Sequence, residues 1–84
     1  MPDVDSVARD LRNFLSAEVF LDRGPESIGM DEDLVAMGMD SLSVLRLVLH
    51  LETSHGVEVG GEDILGKGLS TVREIAEHCV ARGR

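Results

Sequence analysis

The chain contains neither tryptophan nor tyrosine, and only two phenylalanines. Aromatic stacking on a ligand is therefore nearly closed to it. A single cysteine, Cys79, excludes an internal disulfide and any metal site built from several cysteines. That usage fits a reducing compartment. Basic residues are scarce: 8 Lys+Arg stand against 16 Asp+Glu, a formal net charge of −8. A nucleic-acid binder needs a basic surface, and this balance is the reverse. An anionic membrane would repel the chain too. Its partners are expected to show it a basic patch. Long apolar runs are missing as well. The most apolar stretch, residues 42–51, is too short to span a bilayer and contains Arg46 and His50. The opening Met1-Pro2-Asp3-Val4-Asp5 has neither the basic region nor the apolar run of an export signal. A cytoplasmic location is expected.

What is present is enough for one small domain, expected to span residues 1–84. Hydrophobic residues make up 43% and charged residues 29%, too apolar a mixture for disorder. Residues 3 to about 20 carry Val4, Val7, Ala8, Leu11, Phe14 and Leu15 at helical spacing, with polar residues between them. Asp22-Arg23-Gly24-Pro25 breaks that pattern. Residues 22–40 form a long connection with Ile28, Leu34 and Val35 as its apolar anchors. A connection of that length inside a small domain should carry function or be held down by those anchors. Four of its acids, Asp31, Glu32, Asp33 and Asp40, follow Arg23 with no base among them. They are expected to repel one another, so that salt or a divalent cation would raise the thermal midpoint.

A second helix should run from residue 41 to 55, capped by Asp40 and stopped by Gly56. Val57-Glu58-Val59 reads as a short extended piece, and residues 62–65 as a turn or so of helix closed by Gly66 and Gly68. Thr71-Val72-Arg73-Glu74 fits a capping box for a last helix with Val72, Ile75, Ala76, Cys79 and Val80 as its apolar stripe. Arg82-Gly83-Arg84 should fray. The fold class is all-α: a small bundle of three main helices plus a short fourth.

The second helix has two apolar sides. With Ser41 at zero, Val44, Leu47, Val48 and Leu51 fall between roughly 240° and 340°. Leu42, Leu45 and Leu49 fall between roughly 40° and 100°, with Glu52 at about 20° and Arg46 at about 140°. A bundle this small can bury the first stripe and would struggle to bury both. Either the helix is central and apolar nearly all round, or Leu42, Leu45 and Leu49 stay exposed and dock onto partners.

Gly38-Met39-Asp40-Ser41-Leu42 puts a serine in the first turn of that helix, just after a loop. A hydroxyl there is exposed, and a phosphate ester on it would meet the positive end of the helix dipole. On physical grounds alone, Asp-Ser before an apolar helix is ordinarily just a cap. The chain as a whole, however, resembles the acyl carrier proteins. The resemblance rests on Gly38-Met39-Asp40-Ser41-Leu42, on Leu47-Val48-Leu49-His50-Leu51-Glu52, and on Ser54-His55-Gly56-Val57-Glu58-Val59. It extends to Asp31-Glu32-Asp33-Leu34 and Leu69-Ser70-Thr71-Val72.

The resemblance implies that Ser41 carries 4′-phosphopantetheine, with Asp40 part of its motif. A phosphopantetheinyl transferase would move the group from coenzyme A to the hydroxyl. The arm's thiol would then hold an intermediate or building block as a thioester. The protein would be a non-catalytic carrier, a monomer, served by an acyl- or aminoacyl-loading enzyme, an acyltransferase or a ketosynthase. Cys79 lies on an apolar stripe and is read as core, so the fold offers no reachable thiol of its own. His50, His55 and His78 are scattered in sequence and none adjoins Ser41, so no nucleophile–base pair is read.

Fatty-acid carriers generally present a strongly acidic second helix. Here it holds one acid, Glu52, and one base, Arg46, and sums to zero. Leu42, Leu45, Arg46, Leu49 and Glu52 are read as the partner-binding face. Together with the Met-Asp-Ser-Leu form, this points to a discrete carrier in polyketide-type natural-product biosynthesis. A carrier of aminoacyl or unusual extender units, or a fatty-acid synthase carrier, stays open. So does a different class, a small acidic adaptor without cofactor. A calcium loop starting at Asp31 is excluded. It would put Val35, Ala36 and Leu42 where a ligand, a glycine and a glutamate are required. No metal site is read.

Overall fold

Asp3 opens the first helix by accepting the Ser6 N–H on its carboxylate at 2.8 Å, and α1 runs Val4–Glu18. The structure is a computed structural model and describes residues 3–66 and 69–82. Val7, Ala8, Leu11 and Leu15 form the buried stripe of α1, with Val4 and Phe14 packed at its edge. The helix stops at Glu18, short of the sequence expectation, because the Val19 and Phe20 N–H groups both turn back to the Leu15 carbonyl. That reversal drives Phe20 into the core at 8% exposure.

The connection that follows is not a bare loop. A single 3₁₀ turn, Pro25–Ser27, starts it. Ile28 and Leu34 are fully buried, as expected. Val35 is only half-buried, and Met39 replaces it as the third anchor. The reason is local. The Asp33 carboxylate accepts from the N–H groups of Val35 and Ala36, which curls the chain so that Leu34 faces inward and Val35 does not. The Leu34 N–H is taken by the Ser70 carbonyl at 2.8 Å, and the Arg73 N–H by the Met30 carbonyl at 2.9 Å. Two backbone ties thus hold the connection to the start of the last helix.

The remaining helices are α2, Ser41–His55, the short α3, Gly61–Leu65, and α4, Val72–Arg82. Among the described residues the elements are all helical, and the architecture is the expected bundle of three main helices plus a short fourth. Gly56 takes the left-handed conformation, φ 66°, that closes α2. Val57 then enters the core while Glu58 stays out. α1 lies chiefly against α4, and α3 against α2. Val72, Ile75, Ala76 and Cys79 line the inner side of α4, whereas Val80, placed on that stripe by spacing, is 40% exposed. The Thr71 hydroxyl caps the Glu74 N–H at 3.1 Å, but the Glu74 carboxylate reaches back to the Ser70 N–H rather than that of Thr71. Arg82 is the last helical residue; Gly68, Gly83 and Arg84 lie outside the described residues.

Asp31, Glu32, Asp33 and Asp40 do not stand unopposed. Asp31 receives two hydrogen bonds from the Arg73 guanidinium, at 2.7 and 3.1 Å. Arg23 lies 3.5 Å from Glu32. Asp33 and Asp40 are each covered by backbone N–H groups. The mutual repulsion expected from sequence is therefore opposed by local backbone amides, by Arg23 of the connection itself, and by Arg73 from the last helix.

Arg73 holds the Asp31 carboxyl below its ordinary value of 3.8. A carboxyl that ionises more easily folded than unfolded stabilises the fold above that ordinary value. The contribution is lost as pH falls through the depressed folded value. An Asp31→Asn variant should therefore be less stable than the parent at neutral pH, with the gap closing in acid. Denaturation midpoints of both proteins across that pH range test this, and a gap independent of pH would overturn it.

Candidate functional site

The site begins with a glycine that has to be one. Gly38 sits at φ +113°, where L side chains are strained, and open space surrounds the position of a Cβ. The turn there sends Met39 inward to 4% exposure, with its N–H on the Leu34 carbonyl at 3.3 Å. Asp40 then emerges in extended geometry as the N-cap of α2. Its carboxylate accepts the Ser43 N–H at 2.9 Å, and its carbonyl accepts the Val44 N–H at 2.9 Å. The backbone N–H of Ser43 is the main reason the Asp40 carboxyl lies below the ordinary range. Ser41, next along, is exposed at the first turn of α2.

Among the described residues the Ser41 hydroxyl makes no hydrogen bond. His50 lies nine residues further along the same helix, about 13 Å by helical rise. Its Nε2 is already engaged with Asp10 at 2.8 Å.

α2 displays both stripes read from its spacing. Val44, Leu47 and Leu51 are buried and Val48 packs at their edge. Leu42, Leu45 and Leu49 are 60%, 53% and 51% exposed. Burying a leucine is worth roughly 1.5–3 kcal/mol, so three left half in water form a costly surface for folding alone. Glu52 is exposed beside them. Arg46, also on this side, already has a partner: its Nη1 lies 3.2 Å from Glu18 Oε1 on α1, with both side chains about half exposed.

Two features escaped the sequence reading. Met39, a motif residue by sequence, is the third apolar anchor. The histidines are scattered in sequence, but His50 and His55 converge on one oxygen of Asp10, at 2.8 and 2.7 Å. Burial alone would raise the Asp10 carboxyl; the hydrogen bonds from both imidazoles outweigh it and hold the group below its ordinary value. Only His78, half-buried on α4, stays apart.

Cys79 is 3% exposed, and burial pushes its thiol up to about 11. The fold keeps its one thiol protonated and out of reach, so a thioester on this protein needs a thiol from elsewhere.

The exposed Ser41 thus opens α2 beside the exposed leucine stripe of the same helix. The family described as phosphopantetheine attachment site matches residues 16–79, and the chain belongs to it. The domain is the site of 4′-phosphopantetheine attachment, and the protein is a phosphopantetheine-bearing carrier. Such a domain implies a phosphopantetheinyl transferase and acyl-handling enzymes as partners. No curated protein and no solved structure matches the chain. Among the described residues no helix is long and apolar enough to cross a membrane.

The state of Cys79 is open to direct test. A thiol reagent in excess should leave the native protein unlabelled at neutral pH and label it fully in denaturant. Rapid labelling of the native fold would contradict the burial.

Proposed function

We propose that Ser41 is the residue that carries 4′-phosphopantetheine, and that residues 1–84 act as a single carrier domain. The observation that carries this reading is the exposed Ser41 hydroxyl at the first turn of α2, within the matched span. Attachment breaks the Oγ–H bond and the pyrophosphate P–O bond of coenzyme A, forms an Oγ–P bond, and releases a proton and adenosine 3′,5′-bisphosphate, leaving a phosphodiester at the helix start. The positive end of the α2 dipole favours that anion and offsets the neighbouring Asp40 charge. The open space around Gly38 leaves room for it. When bound, the group supplies the flexible thiol that Cys79 does not.

The carrier is non-catalytic and works in the cytoplasm, as a monomer, in polyketide-type natural-product biosynthesis. Support for that setting is the neutral second helix, with Arg46 and Glu52 as its only formal charges. Leu42, Leu45 and Leu49, flanked by Arg46 and Glu52, are the face that cognate enzymes read. Their exposure along one side of α2 supports this.

Incubation with coenzyme A and a broad-specificity transferase should add the mass of one phosphopantetheine to the protein and none to Ser41→Ala. Addition that survives in the variant would sink the assignment. Because Ser41 is exposed, the variant should keep its stability to within about 0.5 kcal/mol.

The partner face makes a second prediction. Leu47→Ala and Leu51→Ala should cost about 2–4 kcal/mol as core truncations. Leu45→Ala and Leu49→Ala should leave the melt almost unchanged while slowing loading by the cognate enzyme. Arg46→Glu should slow loading more than phosphopantetheinylation. Melts and loading assays on the five variants decide; equal destabilisation by all four leucine truncations would make the outer stripe structural.

A further inference from the structure

Away from Ser41, three metal-competent side chains meet where α1 crosses the end of α2. Asp10 comes from α1; His50 and His55 come from the last turns of α2. Both imidazole Nε2 atoms lie on the same oxygen, Asp10 Oδ2, at 2.8 and 2.7 Å. All three ligand atoms lie within 4.8 Å of one another. Two imidazoles from one helix converging on one carboxylate oxygen of another are more than hydrogen bonding between the helices requires. We propose that Asp10, His50 and His55 form a binding site for a divalent transition-metal ion of the zinc class.

The donor set selects the metal. Imidazole nitrogen suits zinc and its neighbours, whereas calcium and magnesium take oxygen ligands. Three protein ligands leave a fourth tetrahedral position for water. The burial pattern fits that: the histidine side chains are 17% and 16% exposed, while Asp10, at 45%, leaves one side open to solvent. Zinc bonds of roughly 2.0–2.1 Å place tetrahedral ligand atoms about 3.3 Å apart. The 2.7 and 2.8 Å spacings to Asp10 therefore have to widen by about half an ångström. The half-exposed aspartate can make that shift by rotating its carboxylate.

The histidines are held more firmly. The His50 ring stacks on Phe14 with centroids 4.2 Å apart, and His55 meets it edge-on at 5.6 Å. The other nitrogen of His50, Nδ1, lies 3.5 Å from Ser54 Oγ. With a metal on Nε2, the imidazole proton moves to Nδ1, and that hydroxyl is placed to accept it. An acceptor of this kind commonly fixes the ring of a ligating histidine. The chain's net charge of −8 favours uptake of a cation. His55 is positioned by Gly56, whose left-handed turn ends α2. An ion held here would pin the far end of α2 to α1, remote from the proposed attachment serine.

Zinc titrated into the metal-stripped protein should bind at one equivalent, by native mass spectrometry, and raise the thermal midpoint. In long-range ¹H–¹⁵N spectra of the imidazoles, the Nε2 signals of His50 and His55 should move together while those of His78 stay put. This measurement uses the unaltered chain, so it does not depend on any variant folding. His55→Gln and Asp10→Asn should each weaken zinc binding at least tenfold, and His78→Gln should not. Magnesium and calcium should leave the two imidazoles unmoved. No binding at one equivalent, movement of His78 instead, an equal response to magnesium, or undiminished affinity in His55→Gln would each overturn the site.

Discussion

Met39 is buried among the helices while the two residues after it stand in solvent. That alternation needs a chain reversal only Gly38 makes without strain, and a core that accepts a long, flexible thioether side chain. Once Met39 is in place, Asp40 can only emerge as a cap and Ser41 can only begin the helix at the surface. The orientation of α2 follows, and with it which leucines face inward. Loosening this anchor would free the start of α2 and everything displayed from it.

The second constraint is that α2 serves two surfaces. Val44, Leu47 and Leu51 anchor it to the bundle, and Leu42, Leu45 and Leu49 remain outside. Among the described residues α1 is set chiefly against α4, and α2 meets the short α3 and, through His50, His55 and Arg46, side chains of α1; its second side is left exposed. The exposed stripe is thus a product of the bundle's size as much as of its sequence. A larger domain would have buried it.

Local chemistry made much of this readable beforehand. Asp40 and Gly56 bound α2 because each acts within its own turn, on the Ser43 amide and on the Leu51 and Glu52 carbonyls. The wheel of α2 sorted its leucines correctly because helical geometry is rigid. What escaped was set by packing between distant segments. Arg73 meets Asp31 across 42 positions, Arg46 meets Glu18 across 28, and His50 and His55 meet Asp10 across 40 and 45. Nothing in the spacing of either partner announces such a pair. Val35 and Met39 were exchanged for a smaller reason: the Asp33 side-chain turn shifts which residue faces inward, and an aspartate in a loop does not declare its acceptors.

The Arg46–Glu18 pair changes the meaning of a charge on the outer side of α2. A carboxylate on an approaching protein does not meet a vacant guanidinium; it displaces one that already has a companion. Association at that point is an exchange of one anion for another, with the same number of ion pairs before and after. Dissolved ions weaken both sides of such an exchange alike. On the proposed partner face, Arg46 would then discriminate by geometry, through whether an incoming carboxylate offers the planar two-pronged fit that the single 3.2 Å contact with Glu18 does not use.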